Sequence, residues 1–267
     1  HNLIFKGDEL QAEISQGRFQ KPIQAIDLAS RILANNSPTN IDKITVINID
    51  QGIETLRVSI PRETLVEVVA NGPLEEKYLE FNATNLGSDT EAIIKKNDYI
   101  YPHFYMSMQP HLNGTLQHQI QFYFWQLELA FTSEYAIRKG LFLKTTYGLN
   151  LANNYESYQW STPDGELHHV RQHRRQYLTE GESGLRQMKI DYTIDFNRNI
   201  KANFTAGILE WMYGGVGGEI LYLPNHKHWG LGIEAYWVKQ REFDQKFPFR
   251  DYETVTGYLD RKSTRLN

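Results

Sequence analysis

Glu210 and Glu219 flank a glycine-rich stretch, Gly214-Gly215-Val216-Gly217-Gly218, with Trp211 beside the first of them. Two acids next to an aromatic are the equipment of glycoside hydrolysis, where one carboxyl protonates the leaving group and the other attacks or activates water. The plain alternative is structural. No helix follows the glycines, so they form neither a phosphate nor a dinucleotide loop, and glycine here serves a tight bend or close backbone approach. A second group, His168, His169 and His173 with Arg171, Arg174 and Arg175, sits in a loop expected over residues 152–183. No regular element fixes its geometry and no carboxylate completes a ligand set, so a solvated basic patch is expected rather than a metal site. Such a patch suits an anionic sugar polymer or lipopolysaccharide phosphates. Ser183 lacks the context of a nucleophile elbow. No catalytic residue, metal or cofactor is therefore expected.

Composition narrows the classes further. The chain has 267 residues, a net charge of -4 and 40% hydrophobic residues. It is neither disordered nor basic enough for broad nucleic-acid binding. Cysteine is absent, which excludes disulfides and thiolate ligands within this sequence. The 16 Tyr, 13 Phe and 5 Trp suit β structure. No run of about 18 apolar residues exists to form a membrane helix, but membrane β-strands alternate and would show none.

The element that must position most of these side chains is Phe122 to Leu151. Tyr123, Trp125, Leu127, Leu129, Phe131, Tyr135 and Ile137 alternate with Gln126, Glu128, Thr132 and Glu134. After Arg138-Lys139-Gly140 the period resumes, with Leu141, Leu143, Tyr147, Leu149 and Leu151 against Lys144, Thr146 and Asn150. A period of two predicts a hairpin with one apolar and one polar face. The same alternation recurs over Gly184–Phe196, Ile200–Ile208 and Trp229–Trp237, with shorter runs at Gly218–Leu223 and Tyr252–Leu259 and an aromatic strand region at Tyr99–Gln109. Seven strands are expected from Phe122 to Leu259.

Their connections alternate short (138–140, 197–199, 224–228) and long or medium (152–183, 209–217, 241–251). In an antiparallel meander this places the short turns at one end and the long loops at the other, the pattern of outer-membrane barrels. The polar rows would then face a lumen, and Tyr123, Trp125, Tyr135, Trp229 and Trp237 would supply interfacial aromatics. The candidate lumen or polysaccharide contacts are Glu128, Glu134, Lys144, Arg171, Arg174, Arg175, Trp211, Glu219, Glu234, Tyr236 and Arg241. In the loop after Trp237, Arg241, Asp244, Lys246, Arg250 and Asp251 are placed either for mutual salt bridges or for a sugar path.

Residues 1–73 are expected to form a small α-β-β-α module, with helices at Pro22–Asn35 and Arg62–Ala70 and a hairpin turning at Asp50-Gln51-Gly52. Residues 74–98 read as a linker, with room for a strand at Tyr78–Phe81. The final stretch, Asp260–Asn267, resembles translated sequencing adapter. It is expected to be non-native, and the sequence is expected to be a fragment.

Four stretches together resemble one family. They are Phe122–Phe131, Arg175–Tyr192, Glu210–Pro224 (EWMYGGVGGEILYLP) and Trp229–Tyr258. They are similar to the YjbH-like outer-membrane proteins of bacterial exopolysaccharide and capsule operons, in order and at similar spacing. The resemblance implies an outer-membrane β-barrel, partial here, with the α/β module in the periplasm. It implies a lipoprotein whose partners are outer-membrane lipid and the exopolysaccharide or capsule export machinery, and a non-catalytic part in polymer production or export. A soluble carbohydrate-binding β-sandwich and a polysaccharide-modifying enzyme are the alternatives.

Overall fold

The structure is a computed structural model. It describes residues 2–15, 19, 21–71, 93–97, 99–116, 123–157, 173–197, 199–224 and 229–263. The chain divides into two compact units, His1–Tyr101 and Pro102–Asn267.

The first unit is a five-stranded sheet in the order β4-β3-β2-β1-β5. Its strands are β1 (Asn2–Lys6), β2 (Glu9–Ile14), β3 (Lys43–Asp50), β4 (Ile53–Pro61) and β5 (Ile93–Lys96), and its helices are α1 (Pro22–Asn36) and α2 (Arg62–Asn71). The unit is thus larger than the expected α-β-β-α module. Two strands precede α1, and β5 joins the sheet from within the expected linker by pairing with β1. The expected strand at 78–81 lies outside the described residues. α1 begins on Pro22, where a missing N–H costs nothing, and closes with the Ser37 N–H on the Leu33 carbonyl at 2.8 Å. The β3–β4 hairpin turns at Gln51 and Gly52, both at positive φ (50° and 84°), as a two-residue primed turn requires. Leu10, Ile26, Ile41, Ile44, Val46, Val58, Ile60 and Leu65 form an apolar core. Each contributes on the order of 1.5–3 kcal/mol by leaving water. Arg62, at the start of α2, donates to the carbonyls of Ala34, Pro38 and Ile41 and so ties α2 to the end of α1.

The second unit is an antiparallel meander of eight strands, ordered β13 to β6 as in the chain. They are β6 (His103–Leu116), β7 (Tyr123–Arg138), β8 (Leu141–Asn153), β9 (Gly184–Asp195), β10 (Ile200–Ile208), β11 (Tyr213–Tyr222), β12 (Trp229–Arg241) and β13 (Phe249–Ser263). The seven strands expected after Phe122 are β7 to β13. Three boundaries differ from expectation. β6 starts at His103 and runs on through Pro110 to Leu116. The glycine-rich stretch lies inside β11 rather than in a connection, and β13 continues past Leu259 with Asp260 opposite Gly232. Among the described residues β6 and β13 do not pair with each other, so the sheet is open.

Register assembles the faces. One row runs Tyr135, Leu143, Ile190, Ala206, Val216, Trp237, Val255 across seven strands, and another runs Ile194, Ala202, Ile220, Ile233, Leu259. The opposite face carries the row Thr193, Asn203, Glu219, Glu234, Tyr258 and the row Asp191, Thr205, Gly217, Tyr236, Thr256. The polar face is the buried one. Gln126, Glu128, Asp191, Thr193 and Thr205 are all under 9% exposed, whereas Ile190, Phe204, Val216, Ile220 and Ile233 are 46–55% exposed.

Candidate functional site

At the long-loop end of the meander, three connections fold over the polar face. α3 (Arg174–Glu180) comes from the β8–β9 connection, 209–212 joins β10 to β11, and 242–248 joins β12 to β13. This roof is held by two arginines and a glutamine. Arg241 is fully buried, and its guanidinium donates to five backbone carbonyls: Leu185, Glu210 and Trp211 from Nη1, Gln245 and Lys246 from Nη2. It thereby joins the start of β9 to both other connections. Arg186 donates to Glu128 Oε2 (2.8 Å from Nη2), to the carbonyls of Gly181 and Glu182, and to the Gln245 side chain. Gln245, at φ 53° and 1% exposed, returns its amide to the Tyr177 carbonyl. So many contacts hold that unfavourable backbone angle in place. Tyr177 completes the roof: its hydroxyl donates to the Arg241 carbonyl and its ring meets Phe243 edge-on at 5.0 Å. Burial pushes its phenol up to about 12.

The Glu128–Arg186 pair spans β8, because Glu128 lies on β7 and Arg186 on β9. It crosses at Gly148, where a Cβ would stand 2.6 Å from both Arg186 Nε and Glu128 Oε2. Glycine at 148 is what lets the two charges meet. Beneath the roof lies a cavity of about 610 Å³. Its walls come from β6 (Asn113), β7 (Gln126, Glu128), β8 (Thr146), β9 (Arg186) and the roof (Tyr155, Arg174, Tyr177, Glu210, Trp211).

Of the expected contacts, the structure brings Glu128, Arg174 and Trp211 to this cavity. Arg175 lies beside Arg174 in α3, and Arg171 is outside the described residues, as are His168 and His169. Glu134 and Lys144 sit further along the polar face. Lys144 lies 3.4 Å from Asp191, which also meets Lys189 at 3.3 Å and accepts from the Thr205 hydroxyl. Glu219, Glu234 and Tyr236 occupy the polar rows of β11 and β12, with the two glutamates directly opposite each other. Arg241 is the correction. It has no exposed surface and both of its Nη nitrogens serve backbone carbonyls, so it secures the roof and does not meet a polymer. Of the expected salt bridges in its loop, Lys246 pairs with Asp244, while Arg250 pairs with Glu242. Glu210 and Glu219 line different cavities. Ser183 accepts from the Asn150 N–H, and among the described residues no group of His, Asp or Glu could hold a metal ion. Arg186, Tyr177 and Gln245 were not singled out from the sequence. Simple alternation puts Arg186 with the apolar Met188 and Ile190, and only the register shift opposite Thr146 and Tyr147 frees it from that row, so neither Arg186 nor Gln245 has a local signal.

Over this architecture, the profile of the YjbH family, described as exopolysaccharide biosynthesis protein YbjH, matches residues 1–262. The chain belongs to the YjbH family. A relative in Escherichia coli (strain K12), the uncharacterized lipoprotein YjbH, is 26% identical over 271 residues, covering 95% of this chain. The chain spans 37% of that relative's length. No solved structure matches the chain at a significant level. The YjbH family match includes β13 up to Lys262 and both units. The roof, its cavity and the inverted sheet are therefore features of a member of an exopolysaccharide biosynthesis family.

Proposed function

We propose that the eight-stranded sheet is part of an outer-membrane β-barrel that assists exopolysaccharide or capsule production or export without catalysing a reaction. The His1–Tyr101 unit then stands on the periplasmic side. The observation that carries this reading is the inversion of burial across the second unit. In water a half-exposed sheet hides its apolar face, and a patch this extensive left open marks a surface that meets protein or lipid. A lipid-facing strand alternates apolar-out and polar-in and needs about 9–11 residues. The strands here run from 9 to 16 residues, and one apolar row continues from Tyr135 on β7 to Trp237 on β12 with no charged residue in it. The short turns share one end and the roof connections the other, as barrel loops do.

Two features support a binding role over a catalytic one. The carboxylates suggested as a hydrolytic pair line separate cavities, and the roofed acid, Glu128, is committed to Arg186. Fractionation of a Gram-negative host expressing the intact gene product tests the reading. Recovery in the outer membrane, release only by detergent and heat-dependent migration on gels are expected. Recovery in the soluble periplasm without detergent overturns it. Unchanged polymer structure on Glu210→Ala and Glu219→Ala is expected of a non-enzyme.

A further inference from the structure

We infer that the cavity beneath the roof is a binding site for an uncharged oligosaccharide, admitting more than one sugar ring. Its volume of about 610 Å³ lies within the range of small-ligand sites, roughly 300–1,000 Å³. Its charges decide the class of ligand. Among the described residues Glu128 and Glu210 bring two negative charges to the lining and Arg174 and Arg186 two positive ones, so these charges balance. Glu128 and Arg186 neutralise each other at 2.8 Å with Glu128 almost fully buried. Taking either from its partner to serve an ionic ligand would leave a buried charge unpaired. Beside Arg174 and Glu210, whose opposite charges balance, the lining offers a ligand the chemistry that hydroxyls need: the Asn113 amide, the Thr146 hydroxyl and the Tyr155 phenol, with the Trp211 ring. Burial holds the Tyr155 phenol up to about 12, so it is a hydrogen-bond donor at any physiological pH. An indole next to donors and acceptors packs the C–H face of a sugar while its hydroxyls are satisfied. Trp211 is fixed for this by its edge-on contact with Tyr177 at 5.9 Å, and Tyr177 is in turn locked to Arg241 and Gln245. The ligand class rests on the exopolysaccharide reading; the charge balance does not.

The test is isothermal titration calorimetry on the chain in a detergent without sugar headgroups, with cellotetraose and maltotetraose as neutral probes and tetragalacturonate as the acidic one. Saturable binding of a neutral probe, and weaker or no binding of the acidic one, is expected. Trp211→Ala weakens it by about tenfold, equivalent to about 1.4 kcal/mol. Asn113→Leu, on the exposed edge strand β6 and so remote from the roof's own contacts, weakens it without altering the thermal unfolding curve. Absence of binding by both neutral probes, preference for tetragalacturonate, or binding indifferent to both substitutions overturns the inference. A detergent-extracted, heat-modifiable protein that binds no probe removes the pocket and leaves the barrel reading standing. Sugar binding by a protein recovered in the soluble periplasm does the reverse.

Discussion

Isoleucine and valine are placed in opposite ways in the two units. In the first, Ile44, Val46, Val58 and Ile60 are 0% exposed and sit in a core shared with two helices. In the second, Val216, Ile220 and Ile233 are about half exposed, and amides, hydroxyls and paired charges are hidden from solvent together with a few apolar side chains such as Phe124, Phe142 and Met212. Both sheets obey the same hydrogen-bonding rules and the same period of two. The difference lies in what closes over each face. Helices α1 and α2 cover apolar side chains in the first unit, whereas a hydrogen-bonded roof covers polar ones in the second. A buried polar face is stable only when most of its groups are satisfied, and the Arg186, Arg241 and Gln245 contacts supply many of the partners, although the Arg241 Nε has none among the described residues. The lesson is that alternation defines two faces and leaves open which one is inside.

The comparison breaks most sharply at the core of the first unit. Ile44→Ala should destabilise that unit by about 2–5 kcal/mol, the cost of an unfilled cavity, measured by chemical denaturation. A loss below 1 kcal/mol, on the order of a surface change, would mean that this sheet is not closed by its helices. Next comes Ile233→Arg on the apolar face. If that face meets lipid, refolding into bilayers should be less favourable by about 2–4 kcal/mol. An effect near zero would return the second sheet to the same class as any water-facing surface. The smallest effect concerns the roof. The Tyr155 and Tyr177 phenols stand at about 12, raised above the ordinary value of 10 by burial. A group whose folded value is raised contributes stability that is present below pH 10 and lost as pH climbs towards 12. Fluorescence of Trp211, followed in a variant lacking the other tryptophans, should therefore report the roof loosening over pH 10–12, before the strands lose their far-ultraviolet signal. Simultaneous loss of both signals would show the roof and sheet to be one cooperative unit.

Much of this was legible in the chain, and the failures have physical causes. The hairpin about Lys139-Gly140 and the faces of β12 follow from side-chain alternation, which is local information. β11 was cut short because Gly214, Gly215, Gly217 and Gly218 have no side chains with which to alternate. Their role is spatial: a Cβ at Gly217 would lie 2.3 Å from the Tyr236 ring, so the glycine makes room for that ring. β1, β2 and β5 are 5, 6 and 4 residues long, too short for a period to declare itself amid Lys and Glu. Arg241, among aromatics in a loop, reads as exposed and available to a salt bridge, a lumen or a polysaccharide. Its five carbonyl partners come from segments as far as 56 residues away in the chain, which no local pattern announces.

The sequence by itself determined the strand-rich class, the two faces of the meander, the turn chemistry and the sorting of short and long connections. Each of these depends on residues within a few positions of one another. Only the tertiary structure decided that the polar face is the buried one, that Glu128 reaches Arg186 over Gly148, and that Arg241 and Gln245 seal a roof above a cavity whose described charges balance. Those outcomes depend on register across several strands and on groups 50 or more residues apart meeting within hydrogen-bonding distance. Such meetings are properties of the assembled sheet, because the energy of each contact exists only once its partner has been brought alongside.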